Sequence, residues 1–141
     1  MNDLRFDGQV ALVTGAGRGL GRAHARLLAA RGCTVVVNDL GSAFDGTGAA
    51  TGRVADEVVA RIQAEGGKAT ANYDSVENGQ AIIDDVMATH GRLDIVINNA
   101  GILTPEVWSE LTLESWQRTL NVNLTGVFSV MKAAWPVFVA Q

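Results

Sequence analysis

Four glycines fall within seven residues, at positions 15, 17, 19 and 21 of Thr14-Gly-Ala-Gly-Arg18-Gly-Leu20-Gly21. The apolar run Val10-Ala-Leu-Val leads into them, and a helical pattern from Arg22 to Arg31 follows at once. A helix N-terminus neutralises a pyrophosphate through its free N–H groups and its dipole. Glycine lets the backbone turn with positive φ and approach a ligand closely. Strand before and helix after are the context in which such a loop reads as a dinucleotide site rather than as a tight packing turn. Asp39 stands 18 residues beyond Gly21, at the end of a second β-branched run. A carboxylate there can accept both hydroxyl hydrogens of an adenosine ribose and repel a 2′-phosphate, which favours NAD over NADP. Arg18 argues the other way, because an arginine in the loop can pair with a 2′-phosphate. Asp39 carries more weight, since a fixed carboxylate near the 2′ position costs a second anion several kcal/mol at low effective dielectric. A plain loop acid is the alternative for Asp39.

Two further clusters follow strands. Asp74 and Ser75 come after a third run, where a carboxylate could accept the amino hydrogens of an adenine; capping of the next helix serves Ser75 equally well. Asn98-Asn99-Ala100-Gly101 ends a fourth run, at the strand end where ligands bind in such sheets. Asn98 reads as structural, and Asn99, Ala100 and Gly101 as the wall facing a cofactor.

The elements that must position these groups alternate. Strands are expected at Gln9–Val13, Thr34–Asn38, Lys68–Asn72 and Leu93–Ile97. Helices are expected at Leu20–Arg31, Arg53–Ala64, Val76–His90 and from about Leu113 toward Val139. Ala23, Leu27, Leu28 and Ala30 supply the apolar face of the first helix. Asp39 to Gly48 is rich in turn residues. Thr112 reads as an N-cap with Glu114 in the first turn, and the last helix is expected to bend near 121–126. Such alternation with continuous apolar strands gives an α/β fold, a doubly wound, Rossmann-like parallel sheet of strand order 3-2-1-4. The fourth strand would then keep one unpaired side. Residues 1–141 read as one dinucleotide-binding domain, incomplete on its C-terminal side.

Composition narrows the partners. The 141 residues carry a net charge of −4 and no cluster of Lys or Arg, so a nucleic-acid footprint is missing. No apolar run reads as long enough to span a bilayer, and residues 1–7 read as no signal peptide, so no membrane partner is expected. The single cysteine, Cys33, lies beside an apolar strand and reads as a buried hydrophobe in a reducing, cytoplasmic setting. His24 and His90 have no neighbours at ligand spacing, so no metal is expected.

Thr14-Gly15-x-x-x-Gly19-x-Gly21 with Asp74, Asn98-Asn99-Ala100-Gly101 and Asn121-Val-Asn123-Leu resembles the short-chain dehydrogenase/reductase family over essentially the whole chain. The resemblance implies that Gly15, Gly19, Leu20 and Gly21 hold the cofactor's pyrophosphate, with Arg18 in the same loop. It also implies that Asp39 holds the adenosine ribose, Asp74 and Ser75 the adenine, and Asn99 to Gly101 the cofactor's ribose side. Asn123 would be the helix asparagine that keeps a water in the family's proton relay; by itself it reads as a helix-kink residue. Leu4-Arg-Phe-Asp-Gly-Gln-Val, Val37-Asn-Asp-Leu-Gly41, Gly46-Thr-Gly48, Ala71-Asn-Tyr-Asp-Ser75 and Ala133-Ala-Trp-Pro136 are similar to the (3R)-hydroxyacyl-CoA dehydrogenase units of multifunctional enzyme type 2 and bacterial relatives. That likeness implies NAD and a 3-hydroxyacyl thioester, a secondary alcohol, as the small-molecule substrate.

The family's serine and Tyr-x-x-x-Lys are not in this sequence. The only tyrosine is Tyr73, with Glu77 rather than lysine four residues on. The segment alone is therefore expected to be inactive, either as the cofactor-binding part of a longer oxidoreductase or as a non-catalytic nucleotide-binding or assembly module. Trp108, Trp116 and Trp135 read as packing residues. Trp116, Leu120, Leu124, Phe128 and Met131, spaced three to four apart, suggest a homo-oligomer through the last helix.

Overall fold

A computed structural model describes residues 4–43, 45–48 and 51–141. Phe44 of the turn-rich loop and the first residues of the N-terminal segment thus lie outside the described residues. The chain runs β1 (Val10–Thr14), α1 (Gly19–Ala30), β2 (Thr34–Asn38), α2 (Arg53–Ala64), β3 (Lys68–Asn72), a 3₁₀ turn (Val76–Asn78), α3 (Gly79–His90), β4 (Ile95–Ile97), α4 (Leu113–Leu120), a π turn (Asn121–Thr125) and α5 (Gly126–Ala140). All strand pairs are parallel, in the order β3-β2-β1-β4.

Strand alternation divides the core. Ala11 and Val13 of β1, with Val35 and Val37 of β2, face Ala25 and Leu28 of α1 and Val58 and Ile62 of α2. Val10, Leu12 and Val36 face the other way, onto Ile82, Ile83 and Val86 of α3 and Val130, Ala133 and Ala134 of α5. Because both faces are covered, the strands must be apolar at every position, and this is why they read as continuous runs. Each large side chain among them contributes about 1.5–3 kcal/mol by leaving water.

Four local expectations are corrected. The buried stripe of α1 is Gly21, Ala25, Leu28 and Ala29, while Ala23, Leu27 and Ala30 are exposed. The helix is turned so that Gly21 lies under the glycine loop, and small residues give hydrophobic periodicity little to detect. The expected third helix begins as a 3₁₀ turn, and α3 proper starts at Gly79. There Ser129 Oγ of α5 accepts from Gly79 N at 2.9 Å and donates to Glu77 O at 3.1 Å. β4 starts at Ile95 rather than Leu93. Leu93 instead exchanges two backbone hydrogen bonds, of 3.1 and 2.8 Å, with the side-chain amide of Gln141. Finally, α4, the π turn and α5 form one helical run, Leu113–Ala140, of 28 residues and mean hydropathy 1.3 over its most apolar window. It is long and apolar enough to cross a membrane, contrary to the sequence reading. One side of it packs on α3 and the sheet through Val130, Ala133 and Ala134.

The capping of α4 is as expected: Thr112 Oγ1 accepts from Ser115 N at 3.1 Å, and Ser115 Oγ accepts from Thr112 N at 3.2 Å. The expected bend is the π turn itself.

Cys33 is 1% exposed in the α1/α2 core. Burial, reinforced by the charge of Asp94, pushes its thiol up from 9.0 to about 11. An unfolded chain ionises near 9 and the folded one near 11, so this group's contribution is intact below the lower value and is lost as pH rises through the higher. The expected outcome is that urea-unfolding free energy falls by up to about 2–3 kcal/mol more for the wild type than for Cys33→Ala between about pH 8 and about pH 11. Parallel pH profiles for the two proteins would refute it.

Candidate dinucleotide site

The C-terminal ends of the four strands open onto one cavity of about 420 Å³, within the usual size range for ligand pockets. Gly15, Arg18, Gly19, Asp39, Asp74, Ser75, Asn99, Ala100 and Gly101 all line it. Leu20 and Gly21 do not. Leu20 is 73% exposed, and Gly21 is buried behind the loop, where a Cβ would strike Gly15 O and the Asn99 amide.

The glycine loop is built by close approach. Gly15 has φ +60°, and a Cβ there would stand 2.7 Å from Ala100 Cα. Gly19 has φ +50° with open space where its Cβ would be, a cradle that a side chain would obstruct. The N-cap of α1 is Arg18, whose side chain does not cap the helix. The first-turn N–H groups of Gly19, Leu20 and Gly21 are therefore open to an anion. Arg18 reaches across the cavity mouth, its Nη1 donating to Ser42 O at 3.4 Å.

Asp39 braces two loops at once. Its Oδ2 accepts from Gly17 N and its Oδ1 from Gly41 N, each at 2.8 Å. Each carboxylate oxygen keeps a second lone pair for a ligand hydroxyl. The ends of β2 and β3 are bolted by Asn38 and Asn72, 2% and 4% exposed. Asn38 Nδ2 donates to Asn72 Oδ1 at 2.8 Å and to Asp74 O at 2.9 Å. Asn72 Nδ2 donates to Asp74 Oδ2 at 3.1 Å and to Asp85 Oδ2 at 2.8 Å. Asp74 is thus held by an amide pair. Ser75 caps the 3₁₀ turn, accepting from Glu77 N at 3.3 Å, while also lining the cavity.

The division of labour between the two asparagines is the reverse of that expected. Asn99 is the structural one: its Nδ2 donates to Thr14 O and Gly15 O, both at 3.0 Å. The side chain of Asn98 makes no hydrogen bond among the described residues. Thr14, 1% exposed, completes the lock, its Oγ1 accepting from Asn99 N at 3.1 Å and Ala100 N at 3.0 Å. Asn123 sits in the π turn with both polar atoms engaged. Its Oδ1 accepts from Ile102 N at 2.8 Å and its Nδ2 donates to Ile102 O at 2.9 Å. Its side chain thereby shapes the segment after Gly101, and it does not line the cavity.

Sequence reasoning missed Arg118, Ile102 and Val122 and the loop residues Ser42, Ala43 and Gly46, all of which line the cavity. Only the fold brings them there. It also gave no separate role to Thr14 or to the Asn38–Asn72 pair, although a polar residue ending each of two otherwise apolar strands was a visible signal. Among the described residues no three His, Cys, Asp or Glu side chains gather as metal ligands. His90 Nε2 lies 3.0 Å from Thr70 Oγ1, in a hydrogen bond between α3 and β3.

Cradle, open N–H groups and braced carboxylates fit a dinucleotide, with phosphates at the α1 end and a ribose and base at the β2 and β3 ends. A family model described as short chain dehydrogenase matches residues 9–141. The chain is 53% identical over 132 residues to the peroxisomal multifunctional enzyme type 2 of Mus musculus, covering 94% of this chain and 18% of that protein. It is 51% identical over 138 residues to the peroxisomal hydratase-dehydrogenase-epimerase of Neurospora crassa, covering 98% of this chain and 15% of that one. The solved structure of a short chain dehydrogenase from Mycobacterium paratuberculosis bound to NAD superposes with a TM-score of 0.86 at 29% identity, over 97% of this chain and 53% of that one. The chain thus spans less than a fifth of the two curated relatives. With a family model matched from β1 to the last residue, the chain belongs to the short-chain dehydrogenase family.

Proposed function

We propose that residues 1–141 form the NAD-binding part of a short-chain oxidoreductase that moves a hydride between a secondary alcohol and the cofactor, with a 3-hydroxyacyl thioester as the leading substrate. The observation that carries this reading is Asp39. Its carboxylate lines the same cavity as the open N-terminus of α1, at the position where a ribose of a bound dinucleotide would lie. NAD supplies the hydride acceptor when bound. The chain's own residues bind and orient it: the α1 N–H groups and Arg18 at the phosphates, Asp39 at the ribose, Asp74 and Ser75 at the base, and Ala100 and Gly101 along the wall. We assign Asn123 to positioning, through Ile102, because both its polar atoms are spent there.

The substrate class rests on the family likeness and on one relative's name. A hydratase makes an alcohol and a dehydrogenase consumes one, so a protein called hydratase-dehydrogenase-epimerase pairs the two steps. The acid–base pair for alcohol chemistry is not among these residues. Tyr73 donates to Asp56 and packs on Gly52, which raises its pKa; Lys68 is exposed at the start of β3 and Lys132 lies over the Phe128 ring. We place the protein in a reducing intracellular compartment, the cytoplasm by the sequence reading, on the strength of the unpaired thiol of Cys33; the two relatives named above are peroxisomal. A homo-oligomer is proposed through α4 and α5, where Trp116, Leu124 and Phe128 are 47%, 65% and 63% exposed.

Titration calorimetry of the chain with NAD and NADP tests the cofactor reading. NAD should bind more tightly by about tenfold or more, because a 2′-phosphate beside Asp39 is repelled. Tighter binding of NADP, or binding of neither, overturns it.

A further inference from the structure

The cavity contains a cation with nothing to hold. Arg118, in α4, lines it together with Ile102 and Val122. Its Nε is out of contact with water and has no hydrogen-bond partner among the described residues. No ion pair among those residues engages its guanidinium. A buried donor left unmet is costly, and a buried charge more so, unless a partner arrives.

The protein's own groups are not placed to be that partner. Asp45 is held below the usual carboxylate range first by the Thr47 hydroxyl and N–H, with the charge of Arg118 as the last and smallest cause. Its Oδ1 already accepts both Thr47 bonds, at 2.7 and 2.9 Å. The loop after β2 lies against the stem of the arginine: a Cβ on Gly46 would stand 3.8 Å from Arg118 Cδ. The stem is thus packed, while the head faces a space shared with the glycine loop. The cavity's charges are also segregated by element. Its cations come from the α1 N-cap (Arg18) and from α4 (Arg118), and its carboxylates from the ends of β2 and β3 and the 3₁₀ turn.

We propose that Arg118 is a second cationic clamp on the diphosphate of the bound nucleotide, contributed by α4 and acting with the open N–H groups of α1. The inference rests on the dinucleotide reading above and extends it to an element that the glycine-loop motif does not include. Arginine suits the task because its planar fork gives phosphate oxygens paired donors.

Titration of the chain and of Arg118→Gln with adenosine, ADP and NAD tests it, because adenosine carries the ribose and base without phosphate. The expected result is that Arg118→Gln weakens ADP and NAD by about ten- to hundredfold and leaves adenosine unchanged. Its ADP affinity should also depend less steeply on salt than the wild type's, since one ionic contact is gone. Arg118→Lys, which keeps the stem and charge but not the fork, should fall between the two; it also serves if the glutamine variant does not fold. Unchanged ADP affinity in the variants, or an equal loss for adenosine and ADP, overturns the clamp while leaving the cofactor reading standing. A wild-type chain that binds neither ADP nor NAD overturns both.

Discussion

Asp39→Ala should collapse the preference for NAD over NADP. The carboxylate accepts from Gly17 N and Gly41 N at 2.8 Å each and lines the cavity from the end of β2. If it also accepts the ribose hydroxyls, its removal costs NAD a charged hydrogen-bonding partner, about 1.5–3 kcal/mol, or roughly ten- to hundredfold in affinity. NADP never had that contact and loses a repulsion instead, so its affinity should hold or rise. The two loops lose their brace in either complex, and that loss falls on NAD and NADP alike. The ratio of the two affinities therefore separates ribose reading from bracing, whereas either affinity alone would not. Calorimetry with both cofactors gives the ratio, and an unchanged ratio would reduce Asp39 to a loop strut.

Thr14→Val should produce the largest loss of stability from a near-isosteric change. The hydroxyl of Thr14 is buried and is the acceptor for two consecutive N–H groups, those of Asn99 and Ala100. Valine keeps the shape and strands both donors. At about 1–3 kcal/mol for each buried unmet donor, the cost is roughly 2–5 kcal/mol, a large fraction of the 5–15 kcal/mol typical of a domain. A fall in Tm of about 10 °C follows for a chain of this size. Thr14→Ser retains the acceptor and should lose only about 1 kcal/mol, through its missing methyl group. Thermal and urea unfolding of the pair check this, and equal behaviour of the two variants would falsify the lock. NAD binding should weaken in Thr14→Val as well, because Thr14 and Asn99 together hold Gly15 against Ala100 at the cavity wall.

The fold was legible because its signals are local. β2, β3 and α2 lie where composition and period place them, and the strand order follows from alternation together with right-handed crossovers. Boundaries failed where a side chain from a distant element intervened. Ser129 of α5 starts α3 at Gly79, and Gln141 takes the backbone of Leu93 that would otherwise have opened β4. The stripe of α1 was misplaced because Gly21, Ala25 and Ala29 have too little apolar surface to show in a periodicity, yet they are what a close helix-to-loop contact requires.

The candidate site divides in the same way. Sequence alone determined that a glycine loop joins a buried strand to a helix, that an acid ends the second strand, and that an Asn-Asn-Ala-Gly turn ends the fourth, since each is a short pattern with a backbone reason. The tertiary structure decided which of those groups face one cavity and which are spent on holding it. Asn99 and Asn123 both carry amides that a ligand could use, and both are committed to backbone atoms of the protein itself. Arg118 is one exposed-looking cation of an amphipathic helix until packing buries its Nε beside the glycine loop. Local patterns fix conformation, because conformation is set by neighbours along the chain. Whether a polar group is free to act depends on which distant atoms the fold brings within about 3 Å of it.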